Sequence, residues 1–141
     1  YFQTDNRAAV ARGVALANAQ GADLILFTGD IVNNVYQELE PWADVFGQLR
    51  APLGVYSVLG NHDYGDYASW LTPAQRAEHL RRLKALHQQM GWRLLLNEHV
   101  VLERGGAPLA LIGVENWGAG RFQKYGDLAR ATRGAQAAPF R

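Results

Sequence analysis

Cysteine is absent from the 141 residues. That excludes disulfides and thiolate metal ligation, and leaves the compartment open. An excess of charge is absent too: 14 Lys and Arg stand against 13 Asp and Glu, a formal net charge of +1. No nucleic-acid surface is evident, because such a surface carries a pronounced basic excess. No run approaches the roughly 20 apolar residues of a membrane span, so the chain as given is expected to be soluble. Histidine is scarce, four residues in all, with none after His99.

What is present is 48% hydrophobic residues and 15 glycines. This length and composition suit a single domain, residues 1–141, able to bury a core. Asp5 or Asn6 is expected to cap a helix over residues 7–20, with Ala8, Val10, Val14 and Leu16 among its apolar positions and Gly21 as its stop. The run LILFTG reads as a strand covered on both faces. A second helix is expected over about 37–49, then a buried strand in GVYSVLG. Strand, helix, strand at this spacing is a βαβ unit with neighbouring parallel strands. Thr72-Pro73 opens the best-marked helix, with Gln75 completing a capping box and Gly91 ending it. RLLL is a short strand, and HVVLER and PLALIGVEN form a hairpin turning at Gly105-Gly106. After Trp117 the pattern fades.

Two strand ends carry the chemistry. TGDIVN ends one run and GNHD the other. In an open parallel sheet, ligands sit at the carboxyl ends of the strands, so Asp30 and Asn61 should face one crevice. Gly29 and Gly60 let the backbone turn there and let a ligand come close. A carboxylate can bridge two cations, and the Asn61 carbonyl oxygen is a hard donor suited to a divalent ion. Oxygen donors with a histidine suit Mn, Fe, Zn or Mg better than copper. On extended backbone, His62 should point away from Asn61 and act on substrate beside the metal. Asp63 is expected to hold the His62 ring through its other nitrogen.

These two blocks, about thirty residues apart with strand, helix and strand between, resemble signature blocks of the calcineurin-like metallophosphoesterases. The resemblance implies an α/β sandwich of the metallophosphoesterase type, present in part: a βαβ unit, then a helix and a β-hairpin. It implies two divalent metal ions in the complete domain, with Asp30 as the bridge, Asn61 as a ligand of the second metal, and His62 contacting the scissile phosphate. Hydrolysis of phosphomonoesters or phosphodiesters is the implied reaction, and a phosphate ester the implied substrate.

The family's Asp-x-His block before the GD block, and its later histidine and Gly-His-x-His block, have no counterpart in these residues. The segment alone is therefore expected to bind metal weakly and hydrolyse little. The alternative is a non-catalytic protein-interaction scaffold with the same fold. The phrasing also resembles bacterial members that carry membrane segments ahead of the catalytic domain. A cell-envelope parent, attached to the membrane through segments outside this chain, follows as an expectation.

Other residues carry weaker signals. Asn33 reads as a neighbour supporting the ligands or as a helix cap. Tyr64, Asp66 and Tyr67 either line the mouth of the site or pack a loop on the next helix. Glu115, Asn116 and Trp117 could reach the rim. His79, His87 and His99 read as surface or packing residues. Arg76, Arg81, Arg82 and Lys84 read as a solvated helix face, with contact to anionic lipid as the other reading.

Overall fold

The computed structural model describes residues 6–69, 71–119 and 123–135. It is a mixed α/β structure containing a three-stranded parallel sheet and a separate β-hairpin. The chain divides into two compact units, Tyr1–Leu94 and Leu95–Arg141.

In the first unit, helix α1 (Arg7–Ala19) leads into strand β1 (Ile25–Phe27) through Gly21, whose φ of 61° ends the helix as expected. Asn6 occupies the N-cap position, but its side chain makes no capping bond; Asp5 lies outside the described residues. Of the expected apolar face only Val14 is buried, and Leu16 is 65% exposed. Strand β1 pairs with β2 (Val55–Ser57), and β2 pairs with β3 (Arg93–Leu94), all parallel. The sheet order β1-β2-β3 puts β2 in the centre, where all three of its residues are buried. The expectation that β1 is covered on both faces is corrected, since Leu26 is 53% exposed.

The helix expected over 37–49 is also corrected. Residues Tyr36–Glu38 and Glu40–Trp42 form 3-10 turns, and only Ala43–Phe46 is α-helical, here α2. Pro41 explains the break: it has no N–H to give to a helical ladder and crowds the preceding turn. Its place at the start of the second turn suits that position, where N–H groups are unpaired anyway. Helix α3 (Pro73–Gln89) forms as read, with Thr72 Oγ1 accepting from Gln75 N and Gln75 returning the bond to Thr72 N. The core of this unit gathers on Trp92, whose ring lies 5.2 Å from Phe27, 6.0 Å from Phe46 and 5.9 Å from His87. Large aromatic rings bury the most apolar area per residue, and the edge-on contacts are the favoured kind.

The second unit is the hairpin of β4 (Glu98–Arg104) and β5 (Ala107–Gly113), followed by the short helix α4 (Leu128–Ala131). Gly105 and Gly106 both have positive φ, 58° and 79°, as a two-residue hairpin turn requires. Asn97 organises the unit. It is buried, sits at φ 55°, and makes four hydrogen bonds. Its Nδ2 donates to Glu115 Oε2 at 2.5 Å and to the Tyr125 carbonyl at 3.0 Å. Its Oδ1 accepts from the amides of Glu115 and Asp127 at 3.2 and 2.8 Å.

Replacing Asn97 therefore tests two effects at once. Asn97→Ala is expected to cost about 3 kcal/mol, from unpaired buried partners plus a left-handed backbone. Asn97→Gly relieves the backbone part and is expected to cost about 1 kcal/mol less. Amide hydrogen exchange across β4 and β5 reads both; equal losses in the two variants would refute the backbone contribution.

Candidate active site at the strand ends

The two motif loops leave the carboxyl ends of the adjacent parallel strands β1 and β2 and are packed tightly together. A Cβ placed on Gly29 would lie 2.2 Å from Gly60 N, and one on Gly60 would lie 2.2 Å from Asp30 Oδ1. Neither position tolerates a side chain, so both glycines are required by close approach. Gly29 also sits at φ 97°, and Asp30 itself at φ 58°. A non-glycine residue in that region costs about 1–2 kcal/mol and persists only where neighbours hold it.

Asp63 supplies the hold. Its fully buried carboxylate accepts three backbone N–H groups: Asp30 at 2.7 Å and Gly60 at 2.9 Å on Oδ2, and Val32 at 3.2 Å on Oδ1. Burial pushes its pKa up to about 6, against the three N–H groups, which favour the ionised form. Asp30 answers across the gap, its Oδ1 accepting the His62 amide at 2.9 Å.

The expected contact between Asp63 and the His62 ring is corrected. The ring's Nδ1 instead lies 2.8 Å from the Asn33 carbonyl. A carbonyl can only accept, so Nδ1 carries the proton and Nε2 the lone pair in the neutral ring. Asn33 thus serves through its backbone. The premise that His62 points away from Asn61 also changes, because Asn61 has helical φ and ψ and His62–Tyr64 form a 3-10 turn. Both side chains meet Tyr67: Asn61 Nδ2 donates to its hydroxyl at 2.7 Å, and the His62 ring lies 4.6 Å from its ring centroid.

Sequence reasoning missed two supports. Glu38 accepts the amides of Asn33, Asn34 and Val35 at 2.8, 2.9 and 3.0 Å. His79, fully buried, accepts the Tyr36 amide on Nδ1 at 2.9 Å and donates from Nε2 to the Asp63 carbonyl at 2.8 Å. The packing role expected of His79 therefore includes pinning both motif loops. A shallow cavity of 330 Å³ opens beside it, between residues 35–37 and the start of α3 at Leu71 and Gln75. Tyr64 is buried, and Asp66 pairs with Arg76 at 2.5 Å. Arg81 and Arg82 pair with Glu78 and Glu40, so three of the four cations read as one helix face are in ion pairs. In the second unit, His99 Nδ1 donates to the Ala131 carbonyl, Glu115 bonds Asn97, and the Lys124 ammonium lies 3.8 Å from the exposed Trp117 ring centroid.

Asp30 and Asn61 are suited to a divalent ion by chemistry. One Asp30 oxygen is used by the His62 amide, and the Asn61 carbonyl oxygen remains once its NH₂ is on Tyr67. Yet among the described residues no group of three or more His, Asp or Glu is placed to hold an ion.

Burial lowers the pKa of both His79 and His87. His79 must stay neutral to accept from Tyr36, and His87 Nε2 has no partner among the described residues. The unfolded chain binds protons at these sites below about pH 6.5 while the folded one resists them. Their stabilisation is therefore present above that pH and is lost as pH falls below it. Asp63 acts in the opposite sense over about pH 4 to 6, since its folded pKa is raised. His87→Leu is expected to shallow the acid-side loss of stability in urea unfolding at several pH values. An unchanged slope would refute the histidine's share.

Residues 2–130 match the calcineurin-like phosphoesterase family. The chain is 30% identical over 121 residues to an uncharacterised metallophosphoesterase of Bacillus subtilis, YkoQ, covering 84% of this chain and 42% of that protein. It is 28% identical over 139 residues to a zebrafish (Danio rerio) transmembrane protein with a metallophosphoesterase domain, covering 93% of this chain and 29% of that protein. A second uncharacterised Bacillus subtilis metallophosphoesterase, YkuE, is 41% identical over 54 residues, 37% of this chain and 19% of its own length. The chain thus spans less than half the length of these curated relatives. No solved structure matches it. No helix among the described residues is long and apolar enough to cross a membrane. The chain belongs to the calcineurin-like phosphoesterase family.

Proposed function

We propose that this segment forms part of a hydrolase that cleaves phosphomonoesters or phosphodiesters, with Asp30 and Asn61 as metal-ligand oxygens and His62 as the group facing the phosphate. The observation that carries the reading is the junction of the two blocks. The Asp30 carboxylate lies within hydrogen-bond reach of the His62 amide at the ends of two adjacent parallel strands. The fold is then an α/β sandwich in part, one partial domain spanning both units; the family match over 2–130 supports that reading.

The chemistry of the site follows from its own residues. The Asp30 backbone is held in a strained conformation by Asp63. The His62 ring is oriented through its Nδ1–H, which leaves Nε2 to take a proton and, as imidazolium, to donate to a phosphate oxygen or the leaving group. Asp63 acts by positioning both loops. A pair of divalent ions, when bound, would activate water and neutralise phosphate charge. The zebrafish relative's name supports membrane attachment of a longer protein through other segments.

Two measurements test this. Calorimetry with Mn²⁺ is expected to show binding weaker than micromolar, as one carboxylate and one amide make a poor site; micromolar affinity would overturn the weak-site reading. Hydrolysis of an aryl phosphodiester is expected to be slow, to require added Mn²⁺, and to drop about 10²–10⁴-fold in His62→Ala. Turnover unaffected by Asp30→Asn and His62→Ala alike would refute the site. No metal binding and no hydrolysis at any Mn²⁺ concentration would turn the reading towards the scaffold.

A further inference from the structure

Residues 33–36 continue from the first motif loop, and two side chains capture all four of their backbone N–H groups. Glu38 Oε2 takes Asn33, Glu38 Oε1 takes Asn34 and Val35, and His79 Nδ1 takes Tyr36. The peptide between Asn33 and Asn34 is pinned at both ends. Its N–H, from Asn34, donates to Glu38 at 2.9 Å, while its carbonyl, from Asn33, accepts the His62 Nδ1–H at 2.8 Å. In a trans peptide these two groups point in opposite directions across one rigid plane. Rotating that plane to break one bond breaks the other.

We propose that Glu38 is a positioning residue for His62. Its carboxylate fixes the 33–34 peptide plane, and that plane holds the imidazole as the Nδ1–H tautomer, so that Nε2 is the nitrogen left to take a proton and donate to the phosphate ester. The inference rests on the reading of His62 as the phosphate-side group. An ionised carboxylate is the side chain this position needs, because three N–H groups converge on it and it is acceptor-only. Glutamine would turn a donor towards at least one of those amides. Aspartate is one methylene shorter and brings its oxygens less far along the loop.

The test is the His62 tautomer, read from ¹⁵N–¹H correlations of the ring at alkaline pH, where imidazole is neutral. In the unsubstituted chain His62 is expected as a single Nδ1–H form. In Glu38→Ala and Glu38→Gln it is expected to become a mixture of both tautomers. His87, whose Nδ1 donates within α3, provides the internal reference. Glu38→Gln keeps the side-chain volume and decides the matter where Glu38→Ala fails to fold. A folded variant in which His62 remains wholly Nδ1–H overturns the proposal, whatever the activity. Where the Mn²⁺-supplemented chain hydrolyses an aryl phosphodiester, kcat is expected to fall about 10- to 100-fold with KM little changed. A tautomer change in a chain that hydrolyses nothing sustains the positioning of the His62 ring and counts against its phosphate-side role in this segment.

Discussion

The arrangement of the candidate site depends on one carboxylate. Asp63 belongs to the second motif loop, yet two of its three amide partners lie in the first, at Asp30 and Val32. Without it, three N–H groups would face a buried space with no acceptor, each at a cost of about 1–3 kcal/mol. Asp30 would also lose the contact that holds its left-handed backbone. The tightness at Gly29 and Gly60 follows from the same bonds, since the amides must converge on one group. Asp63 is therefore a structural requirement for Asp30 more than a partner of its own neighbour, His62.

A second carboxylate repeats this logic one layer out. Glu38 gathers the amides of residues 33–35 much as Asp63 gathers those of 30, 32 and 60. His79 joins the two clusters, taking the Tyr36 amide on one nitrogen and giving the other to the Asp63 carbonyl. Irregular backbone near a core leaves polar groups without ladder partners, and side chains must replace them. Here three side chains do so, and the carbonyl of Asn33 is thereby presented to His62. The ring's orientation is a consequence of how a loop satisfies its own backbone.

Much of this was legible in the sequence, and the boundary falls where local pattern gives way to contacts between distant residues. The GD and GNHD blocks mark strand ends, Thr72 and Gln75 mark a helix start, and paired glycines mark the hairpin turn; each is a short-range signal with a local cause. The helix expected over 37–49 runs through Pro41, and the span is instead two 3-10 turns and the short α2. The expected partner of Asp63 was its sequence neighbour, whereas its actual partners include amides more than thirty positions away. Glu38 carried a weaker hint, a glutamate three residues after Val35, in the spacing by which a side chain returns to a preceding amide. Asn97 gave only its left-handed tolerance as a clue, because its four partners are assembled by the fold of the second unit.

The physical contrast that remains is between a well-held frame and a sparse donor set. Metal affinity comes from several ligands held in place together, and among the described residues Asp30 and Asn61 are the oxygen donors proposed as ligands. They are nonetheless held by interactions that need no ion: the amides on Asp63 and the close packing of two glycines at the backbone, and the bond from the Asn61 side chain to Tyr67. The left-handed strain at Asp30 is thus carried by the protein itself before any cation arrives. A frame of that kind lowers the reorganisation needed on binding and leaves affinity to be set by ligand count. Further ligands would then add to donors already in place, so metal affinity and loop geometry can vary independently in this site.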